Sequence, residues 1–218
     1  MKKATHTLQT AVIVIFLFST MSAYAQTPDS AGYYFQKGVE EKTARRFLQA
    51  SVCFEKAISF NTAYTEAMFE NGYANLEMRR TDKAIACFEK VIETSPDNIV
   101  AAAQLMELYY NYRLFAKAKQ MAGKCGQSLN ALKIKGMCSY QTEDYDAAIK
   151  ELVAYLSSSP ADAIAIYTLS QCYYNNGDIK NAIANCNKDI FLNSENNRWH
   201  YELGLMYYNN NDYTNAQH

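Results

Sequence analysis

The chain has little of what ordinarily breaks, staples or arms a protein. Three prolines and eight glycines in 218 residues leave no room for long flexible linkers and argue against disorder. Of the three histidines, His6 lies in an N-terminal leader and His218 is the last residue, which leaves only His200. One internal histidine is too few for a Ser-His-Asp site or a histidine-rich metal site. Glycine-rich phosphate loops, HExxH and CxxC spacings are absent, so the sequence predicts no catalytic, cofactor-binding or metal-binding residues and no enzymatic activity. Glu143, Asp144 and Asp146 cluster, but at a turn and helix start, where carboxylates favour the positive end of the helix dipole. Neither sign of charge dominates: the formal charge of −1 becomes −3 without Lys2 and Lys3. A nucleic-acid partner needs a basic stripe to release counterions, and none is present. No segment alternates with period two long enough to compete as a sheet.

What the chain does have is a period. Ala50, Ala84, Ala118, Ala148, Ala182 and Ala216 recur at intervals of 34, 34, 30, 34 and 34 residues. Other columns keep the same phase. Gly38, Gly72, Gly136 and Gly204 stand twelve residues before the alanine, with Met106 and Ser170 in the remaining two places. Phe47, Phe115, Tyr145, Ile179 and Tyr213 precede it by three, with Thr81 the exception; Phe54, Phe88 and Leu152 follow it by four, replaced by Ala122 and Cys186 elsewhere. Pro96 and Pro160 close two units. Small residues are wanted where two antiparallel helices approach most closely, and large ones fill the space beside that contact. The expectation is an all-α fold of helix pairs, each burying its apolar face against its neighbours.

This pattern resembles the tetratricopeptide repeat, a helix–turn–helix unit of 34 residues, from Ala31 to the end of the chain. The units are read as 31–64, 65–98, 99–128, 129–162, 163–196 and an incomplete 197–218. The fifth keeps the family's order most fully, with Ala165, Tyr167, Leu169, Tyr173, Gly177, Asp178 and Ala182; the third has lost four residues around Met121 to Gln127. The resemblance implies a right-handed superhelical solenoid acting as a scaffold for a partner protein or peptide. It also implies that the first helix of each unit lines a concave groove. Carried onto this chain, the groove residues fall in three columns: Phe35, Phe69, Ala103, Lys133, Tyr167, Tyr201; Val39, Tyr73, Glu107, Met137, Gln171, Leu205; and Lys42, Leu76, Tyr110, Tyr140, Tyr174, Tyr208. Phe35, Phe69, Tyr73, Tyr110, Tyr140, Tyr167, Gln171, Tyr174, Tyr201 and Tyr208 form the expected partner site. The family's basic clamp on a C-terminal carboxylate is not reproduced, since only Lys133 is basic in the first two columns.

The six cysteines need separate treatment. Cys53 and Cys87 share one phase, as do Cys138 and Cys172. Equivalent positions in stacked helices lie roughly 9–10 Å apart, beyond the roughly 7 Å a disulfide spans. The better disulfide candidates are Cys125 with Cys138, or Cys172 with Cys186; unpaired core cysteine is the competing reading.

Residues 1–25 read as a signal peptide, followed by a short segment over 26–30. Lys2 and Lys3 precede an apolar run from Ala11 to Phe18, and Ala23-Tyr24-Ala25 supplies a small-x-small cleavage site. No stretch is long enough to span a bilayer after cleavage. The expected location is outside the cytoplasm, periplasmic or envelope-associated in a Gram-negative bacterium. Ala216-Gln217-His218 falls inside what would be the second helix of the sixth unit. The expectation is therefore an N-terminal module of a longer envelope or secretion-system protein with its activity beyond residue 218, or association through this uncovered end. If the leader is read correctly, protein recovered from its host begins at Gln26, and intact-mass analysis checks it; retention of Met1 would overturn the export reading.

Overall fold

The computed structural model describes residues 30–192 and 197–217, so the signal-peptide reading, most of the 26–30 segment and His218 lie outside the described residues. The described residues form helices α1 (Ser30–Thr43), α2 (Phe47–Phe60), α3 (Thr65–Glu77), α4 (Thr81–Thr94), α5 (Ile99–Asn111), α6 (Phe115–Lys124), α7 (Leu129–Gln141), α8 (Tyr145–Ser158), α9 (Ala163–Asn175), α10 (Ile179–Leu192) and α11 (Asn197–Asn209), then a 3-10 turn at Asn215–Gln217. The fold is all-α, with no strand among the described residues. Two compact units divide within α4, one running to Lys90 and the other from Val91. The second helices α2, α4, α8 and α10 are each 14 residues long, whereas α6 has ten. The four missing residues of the third repeat are thus taken from one helix.

The contact that sets each helix pair is a glycine keyed to a large side chain sixteen residues later. In the first unit a Cβ on Gly38 would stand 2.5 Å from the Phe54 ring, and one on Gly72 would stand 2.7 Å from Phe88. In the second unit a Cβ on Gly136 would stand 2.6 Å from Leu152. Phe54, Phe88 and Leu152 are completely buried. Where the glycine is replaced the partner shrinks: Met106 goes with Ala122, and Ser170 with Cys186, all four buried. No crossing holds two large side chains, so bulk is distributed across the pair rather than fixed at either position. Ala50, Ala84, Ala118, Ala148 and Ala182 are fully buried beside these contacts.

Around them the cores are local. In the first unit Ala50, Phe54 and Ala74 carry Phe35, Val39 and Phe47. In the second, Leu132, Leu152, Leu156, Ile166 and Leu169 form one cluster, and Ala182, Cys186 and Met206 another.

All six corners between first and second helices share one geometry. The second residue after each first helix is left-handed: Arg45 (φ 59°), Arg79 (58°), Arg113 (59°), Glu143 (62°), Gly177 (83°) and Asn211 (59°). Their amides bond three residues back, to Lys42, Leu76, Tyr110, Tyr140, Tyr174 and Tyr208, and the next amide bonds five back, as from Asp144 to Ser139 at 2.9 Å. This double bond satisfies the last helix carbonyls. Only Gly177 reaches it without steric cost; a side chain in this conformation costs about 1–2 kcal/mol.

The glycine key gives a direct test in the first unit. Gly72→Met should overpack the crossing and cost about 1–3 kcal/mol, and Phe88→Ala should cost about 3–5 kcal/mol. The double variant, which copies the Met106/Ala122 pair, should cost clearly less than the sum of the two. Additive losses in denaturant unfolding would show that the two positions do not share a volume.

Candidate functional site

The first-helix face of each unit carries the residues expected to meet a partner. In the first unit Phe35 and Phe69 are half-buried. Phe35 lies against Tyr64 (centroids 5.0 Å apart) and Phe54 (5.9 Å), and Phe69 against Phe88 (5.3 Å). They therefore belong in part to the core. Tyr73 is the open member, 42% exposed. The Lys42 ammonium sits 5.5 Å from its ring centroid while donating to Glu70 at 2.6 Å. Lys42, Glu70 and Tyr73 thus form one polar and aromatic group spanning α1 and α3.

In the second unit the polar ties run from each first helix to the next. Asn130 on α7 donates to Glu107 on α5 at 2.8 Å. Lys133 donates to Asp162 at 2.6 Å, and Tyr155 donates its hydroxyl to the same oxygen at 2.7 Å. The other Asp162 oxygen accepts the Ala165 amide, so one carboxylate caps α9 and holds the lysine. The Lys133 ammonium also lies 5.7 Å from the Tyr155 ring centroid. On α9, Tyr167 and Gln171 both donate to Glu202 on α11. Asn209 of the same helix donates to the Tyr174 hydroxyl.

Electrostatics at Asp162 follow from these bonds. Burial by itself raises its pKa, but the bonds from Lys133, Tyr155 and Ala165 outweigh burial and hold it below the ordinary carboxylate value. Tyr110 moves the other way, raised chiefly by burial.

Tyr110, Tyr140 and Tyr208 lie beside the first residue of the following second-helix segment: Phe115 (6.0 Å), Tyr145 (6.4 Å) and Tyr213 (5.4 Å). Tyr140 packs on the α7–α9 core and Tyr174 on the Ala182–Cys186–Met206 cluster. Tyr201 and Tyr208 are the open members, 68% and 60% exposed, and Leu205 beside them is also exposed.

Sequence reasoning named the aromatic column but missed the polar groups that tie it: Glu70, Asn130, Asp162, Glu202 and Asn209. A usable signal existed for two of them, because Tyr167 and Glu202, like Tyr174 and Asn209, are 35 residues apart. That is one repeat plus one residue, the offset that brings successive first helices side by side.

All six cysteines are free, so neither Cys125 with Cys138 nor Cys172 with Cys186 forms a disulfide. Cys125 instead points its thiol at the Ile99 carbonyl of α5, 3.9 Å away, while Cys138, Cys172 and Cys186 pack in the core. Burial pushes the Cys138 thiol up to about 11 and Cys172 up to about 12. Among the described residues no cluster of His, Cys, Asp or Glu could hold a metal ion, and no helix is long and apolar enough to cross a membrane. Asp144 accepts the Ala147 amide as a helix cap and pairs with Lys119.

With the geometry established, comparison with known proteins shows what the chain is similar to. Residues 139–191 match the tetratricopeptide-repeat family profile, and 77–155 match that of the anaphase-promoting complex (cyclosome) subunit 3. Among solved structures, YrrB, described as a TPR protein with an unusual peptide-binding site, is 17% identical with a TM-score of 0.69, covering 81% of this chain and 93% of that one. MamA is 24% identical with a TM-score of 0.64, covering 70% and 85%. PilW, a type IV pilus biogenesis factor, is 17% identical with a TM-score of 0.54, covering 86% and 89%. The peroxisomal targeting signal receptor of Yarrowia lipolytica is 30% identical over 97 residues, which is 44% of this chain but only 16% of that protein's length. The structural neighbours show an all-α fold like that of tetratricopeptide-repeat proteins, and the family profile matches part of the chain.

The Asp162 bonds predict an acid-sensitive element. Because its folded value is depressed, its contribution is in place above about pH 4, the value in an unfolded chain, and drains as pH falls through the folded value. The difference in melting temperature between the parent and Asp162→Asn should therefore be larger at pH 7 than at about pH 2. A difference that does not change with pH would show that the ion pair contributes nothing.

Proposed function

We propose that this chain is an exported protein–protein interaction scaffold without catalysis of its own, working in the periplasm or envelope of a Gram-negative bacterium. Its first-helix faces take an extended or helical segment of a partner protein. The tetratricopeptide-type fold supports a protein or peptide partner, and the signal-like leader with its Ala23-Tyr24-Ala25 site supports export. The observation that carries the reading is the row of open aromatic side chains on α11, Tyr201 and Tyr208 beside Leu205, prolonging the Tyr167, Gln171 and Tyr174 row of α9. Tyrosine gives a large contact area at small entropic cost and keeps a hydroxyl for hydrogen bonding. On α9 those hydroxyls are already held by α11, which fixes the rings in place before any partner arrives.

Residues whose loss would also damage the core are poor tests, and Tyr140 and Tyr174 are such residues. Tyr201 and Tyr208 are better. Changing both to Ala should weaken binding of a partner recovered from the envelope fraction by at least about 2 kcal/mol and leave helicity intact. Calorimetric titration beside circular dichroism measures both quantities. Unchanged affinity would remove this face as the partner site; a loss of helicity would assign the two rings to the fold.

A further inference from the structure

Two corners of the first unit break the local rules twice each. Arg45 and Arg79 occupy the left-handed position that Gly177 fills without strain. Arg46 and Arg80 then stand where α2 and α4 begin, their carbonyls accepting from the Ala50 and Ala84 amides at 2.9 and 3.1 Å. An arginine side chain has no acceptor and cannot cap a helix start, and its charge opposes the positive end of the helix dipole. In the second unit that same place holds Leu114, which follows the left-handed Arg113 and supplies no side-chain cap, and then Asp144, Asp178 and Asp212, whose carboxylates cap the Ala147, Asn181 and Asn215 amides. Of the six corners, three place a capping aspartate at the helix start, one places leucine there after a single arginine, and only the two of the first unit carry paired arginines. Residues held against local preference point to a use outside the fold.

All four arginines are exposed. Arg46 pairs with Glu41, whereas Arg45, Arg79 and Arg80 have no ion pair among the described residues. Glu40, Glu77, Asp82 and Lys83 are the other exposed charges of these corners. We propose that this corner edge of the first unit docks an acidic segment of a partner protein, a surface separate from the first-helix face described above. The guanidinium fork matches a carboxylate bidentately. Corners one repeat apart are separated by about one helix-packing distance, roughly 10 Å, and an extended chain advances roughly 3.3 Å per residue. The matching ligand therefore carries paired carboxylates three residues apart. A bilayer fits less well. An anionic surface selects unbroken clusters of cations, and it would meet Glu40, Glu77 and Asp82 as well as the arginines. A peptide can place its carboxylates at the arginines alone.

The probe is a fluorescein-labelled peptide, Gly-Ser-Glu-Glu-Gly-Glu-Glu-Ser-Gly, with a control carrying Gln at every Glu, titrated with the full chain by fluorescence anisotropy. The Glu peptide should bind at least about tenfold more tightly than the control at about 20 mM salt, and weaken at least about fivefold at about 300 mM. Arg79→Gly/Arg80→Asn should lose at least about fivefold in affinity while its melting temperature rises, since glycine relieves the left-handed position and asparagine can cap. That rise separates lost binding from lost folding; if the double variant does not fold, Arg45→Gly serves in its place. Tyr201→Ala/Tyr208→Ala should bind the probe as the parent does, so failure of the first-helix reading leaves this test intact. Equal affinity for the Glu and Gln peptides, or undiminished binding by the arginine variant, would overturn the proposal. So would arginine-dependent sedimentation with vesicles of roughly 30% phosphatidylserine in the absence of peptide binding.

Discussion

The volume at the crossing of each helix pair is the constraint on which the rest depends. A glycine on the first helix lets its backbone come down onto the ring or branched chain of the second, and the neighbouring alanine keeps the second helix close. If the two helices stood farther apart, the corner could not close in the three residues it has. If they stood closer, Phe54, Phe88 and Leu152 would leave their rotamers. The array tolerates different residues at either place only because it changes both, as at Met106 with Ala122 and Ser170 with Cys186. Interiors packed to crystal-like density respond to the sum of volumes, not to one side chain.

Once the crossing is fixed, the corner geometry follows, and it is uniform where the sequence is not. Arginine, glutamate, glycine and asparagine all adopt the left-handed conformation at that place. Tertiary packing overrides local preference here, since losing the helix-pair interface would cost more than one strained residue. The corners are therefore free to vary in charge without altering the fold, and they do: basic in the first unit, mostly acidic at the end of the second.

Much of this was legible in the sequence because it repeats. Phase alone located the alanine and glycine columns, and the compensating pairs were visible as departures falling in the same repeats. The shortening of the third repeat appeared as a 30-residue interval and is realised as the ten-residue α6. The partner face was less legible. Periodicity identifies which residues share a face but not how deeply each sinks, so Phe35 and Tyr201 stood in one column although the first packs on Tyr64 and the second is largely open. Glu202 and Asn209, which bond Tyr167 and Tyr174, were less visible than the columns because their offset is one repeat plus one residue, a step along the helix as well as along the array. For the cysteines the unpaired reading holds: lying on adjacent antiparallel helices does not aim two thiols at each other, and the Cys125 thiol turns toward α5.

Those thiols have a consequence for how the molecule lives through a change of surroundings. At neutral pH a thiol pushed up to about 11 or 12, as at Cys138 and Cys172, is almost entirely protonated, and thiol–disulfide exchange runs through the thiolate. In the folded chain these two sulfurs are therefore poor participants in exchange, shielded by the packing that surrounds them.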